Sequence, residues 1–212
     1  YKNSSGVLRT NKYTGNISHI DVSTLPSKIV GLGGSDIANL PRVYHGIVKK
    51  SVLDKVYEQC GSYSPGPSPD ISNGIALCKY LKNYIYVDLP LITSGQCVSS
   101  AGGKGAQGEH YEEIDKVKQL PENCASDWNY KIPFYWSGKT IYAESVSKAL
   151  QSMGMVEELN NFNYEYLYAA CLVFDWRYNE RIFTSIKSNT SLLKITKICF
   201  YCILIFFRRI SF

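Results

Sequence analysis

The chain has 212 residues, 45% of them apolar and 19% charged, with a formal net charge of +5. These values exclude a disordered or collagen-like chain, and the length is enough to bury one domain's core with a small appendage. The mild positive balance suits an anionic partner such as a nucleotide, a diphosphate or a membrane surface, whereas no dense basic stripe points to nucleic acid.

Residues 1–48 read as short strands and loops, with turn signals at "NKYTGN", "LPSK" and "GLGGSD". Tyr1 opens the sequence in mid-pattern, which leads to the expectation that an N-terminal half precedes it. "RVYHGIV" (42–48) has the β-branched and aromatic content of a strand. In "KKSVLDKVYEQCG", Val52, Leu53 and Val56 fall at helical spacing, and Gly61 is placed to stop the helix after Cys60.

A stiff loop follows, "GSYSPGPSPD", in which Pro65, Pro67 and Pro69 each fix φ. It delivers Asp70 to the mouth of a helix whose stripe is Ile71, Ile75, Cys78 and Leu81. At that position Asp70 reads as an N-cap accepting the free N–H groups of the first turn. A catalytic role is the alternative, and the two pull in opposite directions, because a carboxylate held as the anion is a weaker base unless a neighbouring diphosphate restores it. "YIYVDLPLIT" (84–93) is strand-like as far as Asp88, and Pro90 marks an edge or an end.

"SSAGGKGAQGEH" (99–110) holds four glycines but departs from a P-loop, since Gly105 follows Lys104 where Ser or Thr is required. It reads either as a plain surface loop or as a lid in which Lys104 neutralises a leaving phosphate and His110 reaches a metal or diphosphate. "HYEEIDKVKQL" reads as a short helix and "DWNYKIPFYW" as an aromatic loop. "KTIYAESVSKALQSMG" reads as an amphipathic helix with Tyr142, Val146, Ala149 and Met153 on one face and Gly154 as its stop. The helical pattern continues more loosely through "VEELNNFNYEYLYAACLVF".

The tail carries ten uninterrupted apolar residues, Ile198 to Phe207, bracketed by Lys194, Lys197, Arg208 and Arg209. Ten residues make about 15 Å of helix, half of a bilayer core. The tail therefore reads as an interfacial helix with its cations on head groups, or as a terminal core element or truncated membrane helix. Seven scattered cysteines (Cys60, Cys78, Cys97, Cys124, Cys171, Cys199 and Cys202) do not form a secreted disulfide framework and favour a reducing cytosol. The one CxxC, Cys199 and Cys202, lies in the apolar run without a second metal pair and reads as two buried small hydrophobes. His45 reads as a structural or a catalytic histidine at a strand end. No HExxH, GxSxG or recognisable Ser/His/Asp set is present.

Three segments in order, "LPRVYHGIVKKSVLDKV", "GSYSPGPSPDISNGIAL" and "YIYVDLPLITSGQCVSSAGG", resemble the second half of bacterial family-2 glycosyltransferases of the GT-A fold. The match covers roughly residues 30–110, and the spacing of "PSPD" after "HGIVKKSVL" is its most specific part. The resemblance implies an α/β fold, a partial GT-A (nucleotide-diphospho-sugar transferase, Rossmann-like) domain with a helical C-terminal tail. Residues 1–155 would be the C-terminal part of the catalytic domain, 156–190 a helical extension, and 191–212 an apolar and basic tail that associates with a membrane. It implies sugar transfer from a nucleotide-diphospho-sugar donor to a glycan or lipid-linked glycan acceptor, with inversion, in O-antigen or capsule biosynthesis. Asp70 would be the catalytic base; Tyr44, His45 and Gly46 would contact the acceptor; Lys104 and His110 would serve the donor and lid. A divalent cation, Mn²⁺ or Mg²⁺, would neutralise the diphosphate, held by an Asp-x-Asp expected upstream of the chain, with His110 as a further contact. The place of action would be the cytoplasm, peripheral at the inner face of the plasma membrane. The rival expectation is a non-catalytic, degenerate transferase-like module that binds glycan or a membrane. The nucleotide-binding strands and the Asp-x-Asp are not among these 212 residues; the expectation is that they lie in the N-terminal half that precedes Tyr1, the alternative being that this chain alone does not bind donor.

Overall fold

The computed structural model describes residues 10, 12–37, 39–93, 112–117 and 120–210. It is a mixed α and β protein, mostly helical, with one small antiparallel sheet among the described residues. Strand β1 (Ile17–Asp21) pairs with β2 (Asn83–Val87), from Ile17 opposite Val87 to Asp21 opposite Asn83. Between them run helices α1 (Leu25–Gly31), α2 (Lys50–Cys60) and α3 (Pro69–Cys78). After β2 come α4 (Gly138–Ser152), α5 (Val156–Asn160), α6 (Tyr164–Phe174), α7 (Asn179–Asn189) and α8 (Leu192–Ile210).

The core is built around α4. It packs against α3 on one side and α6 on another, and α8 lies along α6. The sequence pattern predicts an amphipathic α4, but every residue from Ala143 to Ser147 is buried, so the helix is enclosed rather than half-wet. Its polar residues are tolerated inside because each has a partner. Thr140 Oγ1 donates to the Tyr135 carbonyl at 2.6 Å, Ser147 Oγ accepts from Asn129 Nδ2 at 2.9 Å, and the Glu144 carboxylate accepts from the Asn129 N–H at 3.1 Å. The helix begins at a capping box: Ser137 Oγ accepts from the N–H of Thr140, and Thr140 Oγ1 accepts from the N–H of Ser137. Ser137 is itself anchored, since its hydroxyl donates to the buried Asp175 carboxylate at 2.6 Å, beside the Tyr135 hydroxyl at 3.0 Å.

Several sequence expectations hold. α2 ends at Cys60 with Gly61 in the left-handed region, and Gly154 takes the same conformation just past α4. β2 ends at Val87, ahead of Pro90, and residues 127–136 form the expected aromatic loop, with Trp128, Tyr135 and Trp136 turned into the core. The short helix expected near 110–120 is a 3-10 turn, Ile114–Lys116.

Others need correction. "LPSK" starts α1 instead of a turn, because Pro26 lies in the first helical turn, where its missing N–H costs nothing. The stretch 42–48 forms turns rather than a strand: among the described residues its β-forming residues have no strand to pair with, and Ile47 is wholly exposed. The helix expected to run on through Leu81 stops at Cys78. Cys199 is exposed, so the CxxC is not a buried pair; only Cys202 is partly covered, against α6.

Candidate functional site

Asp70 lies two positions after the N-cap. Pro69 takes the first helical position, which its fixed φ suits, so Ser68 stands at the cap and Asp70 enters the first turn as the exposed carboxylate of α3. The remainder of the helix, Ile71 to Cys78, is buried without a break. A carboxylate at the wet end of an otherwise dry helix is held on a rigid support.

Three contacts fix that support. The Ser68 N–H donates to Ser145 Oγ of α4 at 2.8 Å, and Ser72 Oγ donates back to the Ser68 carbonyl at 2.9 Å. Asn73 Nδ2 donates to the Tyr63 carbonyl at 2.6 Å, tying the start of the proline loop to α3. Gly66 lets the loop touch α4: a Cβ there would come within 3.0 Å of the Ser145 Cα and 2.9 Å of the Ser72 Cβ. The stiff loop is therefore clamped at its beginning, middle and end.

Gly74 makes a second close approach. A Cβ at that position would meet the Pro41 carbonyl oxygen at 2.9 Å and the Leu40 side chain at 3.1 Å. This contact seats residues 40–41 against α3 and so positions Arg42. The Arg42 guanidinium and the Asp70 and Asp36 carboxylates all act electrostatically on the phenol of Tyr142, on α4. Burial first, then Asp70, raises the Tyr142 hydroxyl above its ordinary range, and Arg42 opposes them. Tyr142 is thus a neutral hydroxyl at neutral pH, able to donate one hydrogen bond and accept another. Asp70, Arg42 and Asp36 thus group electrostatically around the neutral Tyr142 hydroxyl, a cluster that holds carboxylate proton acceptors and a cation. Asp36 also acts on Tyr166 of α6, and Arg208 of α8 opposes it.

Of the residues singled out from sequence, Asp70 stands in this cluster. Tyr44, His45 and Gly46 form an exposed tight turn just beyond Arg42, with the Gly46 N–H on the Val43 carbonyl at 3.4 Å. Arg42 is the member of that segment that acts on Tyr142. Lys104 and His110 lie outside the described residues. Sequence reasoning missed Arg42, Asp36 and Tyr142 as site residues. Tyr142 was legible only as one member of a helical stripe, and Arg42 and Asp36 reach the cluster through tertiary packing.

Cysteine chemistry finds no support in the core. Burial pushes the Cys78 thiol up to about 12 and the Cys124 thiol up to about 11, and raises Cys171 as well. Among the described residues no group of three His, Cys, Asp or Glu side chains is placed to hold a metal ion. A cavity of about 430 Å³ opens at the opposite end of α3, between Val22, Pro26, Cys78, Met155 and Glu157. It is separated from Asp70 by roughly 12 Å of helix and takes no part in the cluster. Among the described residues no helix is long and apolar enough to cross a membrane. Compared with known proteins, the chain matches no family model, no curated protein and no solved structure.

Proposed function

We propose that this chain is the acceptor-side part of a glycosyltransferase of the GT-A type, with Asp70 as the base of an inverting sugar transfer. The observation that carries the proposal is the placement of Asp70: an exposed carboxylate in the first turn of a buried helix, clamped through Ser68 and Ser145, that acts electrostatically, as Arg42 does, on the Tyr142 hydroxyl. The acceptor hydroxyl loses its proton to the Asp70 carboxylate as its oxygen bonds to the anomeric carbon. The bond from that carbon to the donor's diphosphate breaks, and the diphosphate leaves with the electron pair. Tyr142 orients the acceptor by hydrogen bonding, and Arg42 supplies a positive charge that acts on the Tyr142 hydroxyl. Tyr44, His45 and Gly46, exposed on the adjoining turn, are proposed acceptor contacts. Donor binding, the divalent cation and the Asp-x-Asp are assigned to a part of the protein outside this chain. Cytoplasmic action on a surface polysaccharide precursor belongs to the same proposal.

The test is Asp70→Asn in the full-length protein, assayed with nucleotide-diphospho-sugars and Mn²⁺ or Mg²⁺. Turnover falls by about 10²- to 10⁴-fold, while donor binding stays within about twofold of the wild type. Wild-type turnover in that variant would end the assignment. The exposed pair Tyr57 and Tyr63, with ring centroids 4.9 Å apart and planes tilted by 37°, favours glycan binding without catalysis as the second reading. Retained glycan binding with no transfer from any donor would support it.

A further inference from the structure

The tail helix α8 uses little of its circumference on the protein. Ile198 and Ile205 are buried, at 3% and 6% exposure, and Tyr201 and Cys202 between them are partly covered, so one stripe meets α6. At about 100° per residue, the opposite side of the helix carries Leu193, Thr196, Phe200, Ile203, Leu204 and Phe207. Every one of them is exposed, Leu193 at 84% and Phe207 at 63%. A helix that is apolar all round is normally covered all round. Here the outward stripe is wet.

The charges indicate what covers it. From Leu192 to Phe212 the sequence has four cations, Lys194, Lys197, Arg208 and Arg209, and no acidic residue. Lys194 turns toward the protein and pairs with Glu165 at 2.7 Å, and Arg209 lies over the Phe174 ring, 5.4 Å from its centroid. Lys197 and Arg208, both exposed, stand about 80–100° round from the centre of the apolar stripe, along one edge of it, and on their protein side they also act electrostatically on Glu165 and Tyr166. A second copy of α8 laid on the stripe would bring only positive charge to that edge. An apolar stripe edged by cations matches acyl chains bordered by anionic head groups. The uninterrupted apolar run covers about 15 Å, too short to span and suited to lying in the plane of the interface.

We infer that the outward face of α8 is a docking surface for an anionic lipid bilayer, with the helix in the interfacial plane. This inference stands apart from sugar transfer and does not depend on it.

Flotation of the full-length protein tests it, using vesicles of phosphatidylcholine alone and of phosphatidylcholine mixed with phosphatidylglycerol. The protein floats with the mixed vesicles, and binding weakens as salt is raised. Replacing Leu193, Phe200, Leu204 and Phe207 together by Gln weakens binding at least about tenfold, with the thermal transition unchanged. Lys197→Gln, a single exposed change, weakens it about fivefold on the mixed vesicles only. Flotation that survives the four-residue variant would overturn the inference. So would absence of flotation, whether sedimentation equilibrium then finds a dimer, making a second copy the occupant, or a monomer.

Discussion

Helices α3 and α8 are both rich in apolar residues, yet the protein treats them in opposite ways. α3 is buried from Ile71 to Cys78, and only its first turn is wet, where Pro69 and Asp70 stand. α8 is nearly twice as long but, among its described side chains, buries only Ile198 and Ile205. In α3 even the polar residues Ser72 and Asn73 are inside and bonded to the loop that precedes them. Such a helix holds its one exposed carboxylate in a fixed place, as acid–base chemistry requires. The tail helix exposes what a core helix would hide, as a surface for another phase requires. Apolar content alone does not separate a support from a docking surface; the distribution of charge does. α3 places a lone acid at its wet end, and α8 lines one edge with cations.

Changes around α4, which supports α3, are expected to cost the most. Glu144 is buried on α4, and burial pushes its carboxyl up to about 7 against the pull of the Asn129 N–H and Lys148. Its folded value lies above its ordinary one, so the folded state keeps a proton that the unfolded chain releases. That contribution is fully present below about pH 4.5 and is lost as pH rises through about 7. At about 1.4 kcal/mol per unit, the difference amounts to about 3 kcal/mol across that window. Glu144→Gln flattens the dependence, which melting at pH 5, 7 and 8 measures; an unaltered slope would mean that another group titrates there.

Gly74→Ala sharpens the comparison inside α3 itself. In an exposed helix this change stabilises by about 1 kcal/mol. Here the added methyl meets the Pro41 carbonyl at 2.9 Å, and the expected outcome is a loss of about 1–3 kcal/mol in denaturant unfolding. Because residues 40–41 are displaced, Arg42 moves from Tyr142 and turnover drops as well. Tyr142→Phe keeps the packing and removes the hydroxyl beside Asp70. Steady-state kinetics with the full-length protein should show turnover about 5- to 20-fold lower, with little change in melting temperature. The smallest effect belongs to α8: Leu193→Gln or Phe207→Gln leaves folding stability within about 0.5 kcal/mol, since neither side chain is in the core.

The local elements were legible in the sequence where one signal acted alone. Helix spacing with a terminal glycine located α2 and α4, and Pro90 marked the end of β2. Errors arose where a residue carries two meanings. Pro26 and Pro69 look like breakers but begin helices, which hid α1 and shifted Asp70 from the cap into the first turn. The stretch 42–48 has strand composition, but a strand needs a partner, and pairing is not written locally. Part of the candidate site was readable, because the proline loop pointed at Asp70. Arg42, Asp36 and Tyr142 were not, since they meet only when α3, α4 and residues 36–42 pack together. The burial of Glu144 had a faint signal in its small neighbours Ala143, Ser145 and Ser147, which let other elements approach the helix on several sides.

The most direct test of the central claim pairs turnover with thermal stability for Asp70→Asn in the full-length protein. An exposed side chain in a first helical turn contributes little to folding, so the melting temperature should stay within a few degrees of wild type. Turnover should fall by at least about 10²-fold, with acceptor and donor affinities within about twofold. Unchanged turnover, or a loss of turnover matched by a lower melting temperature, would contradict the account.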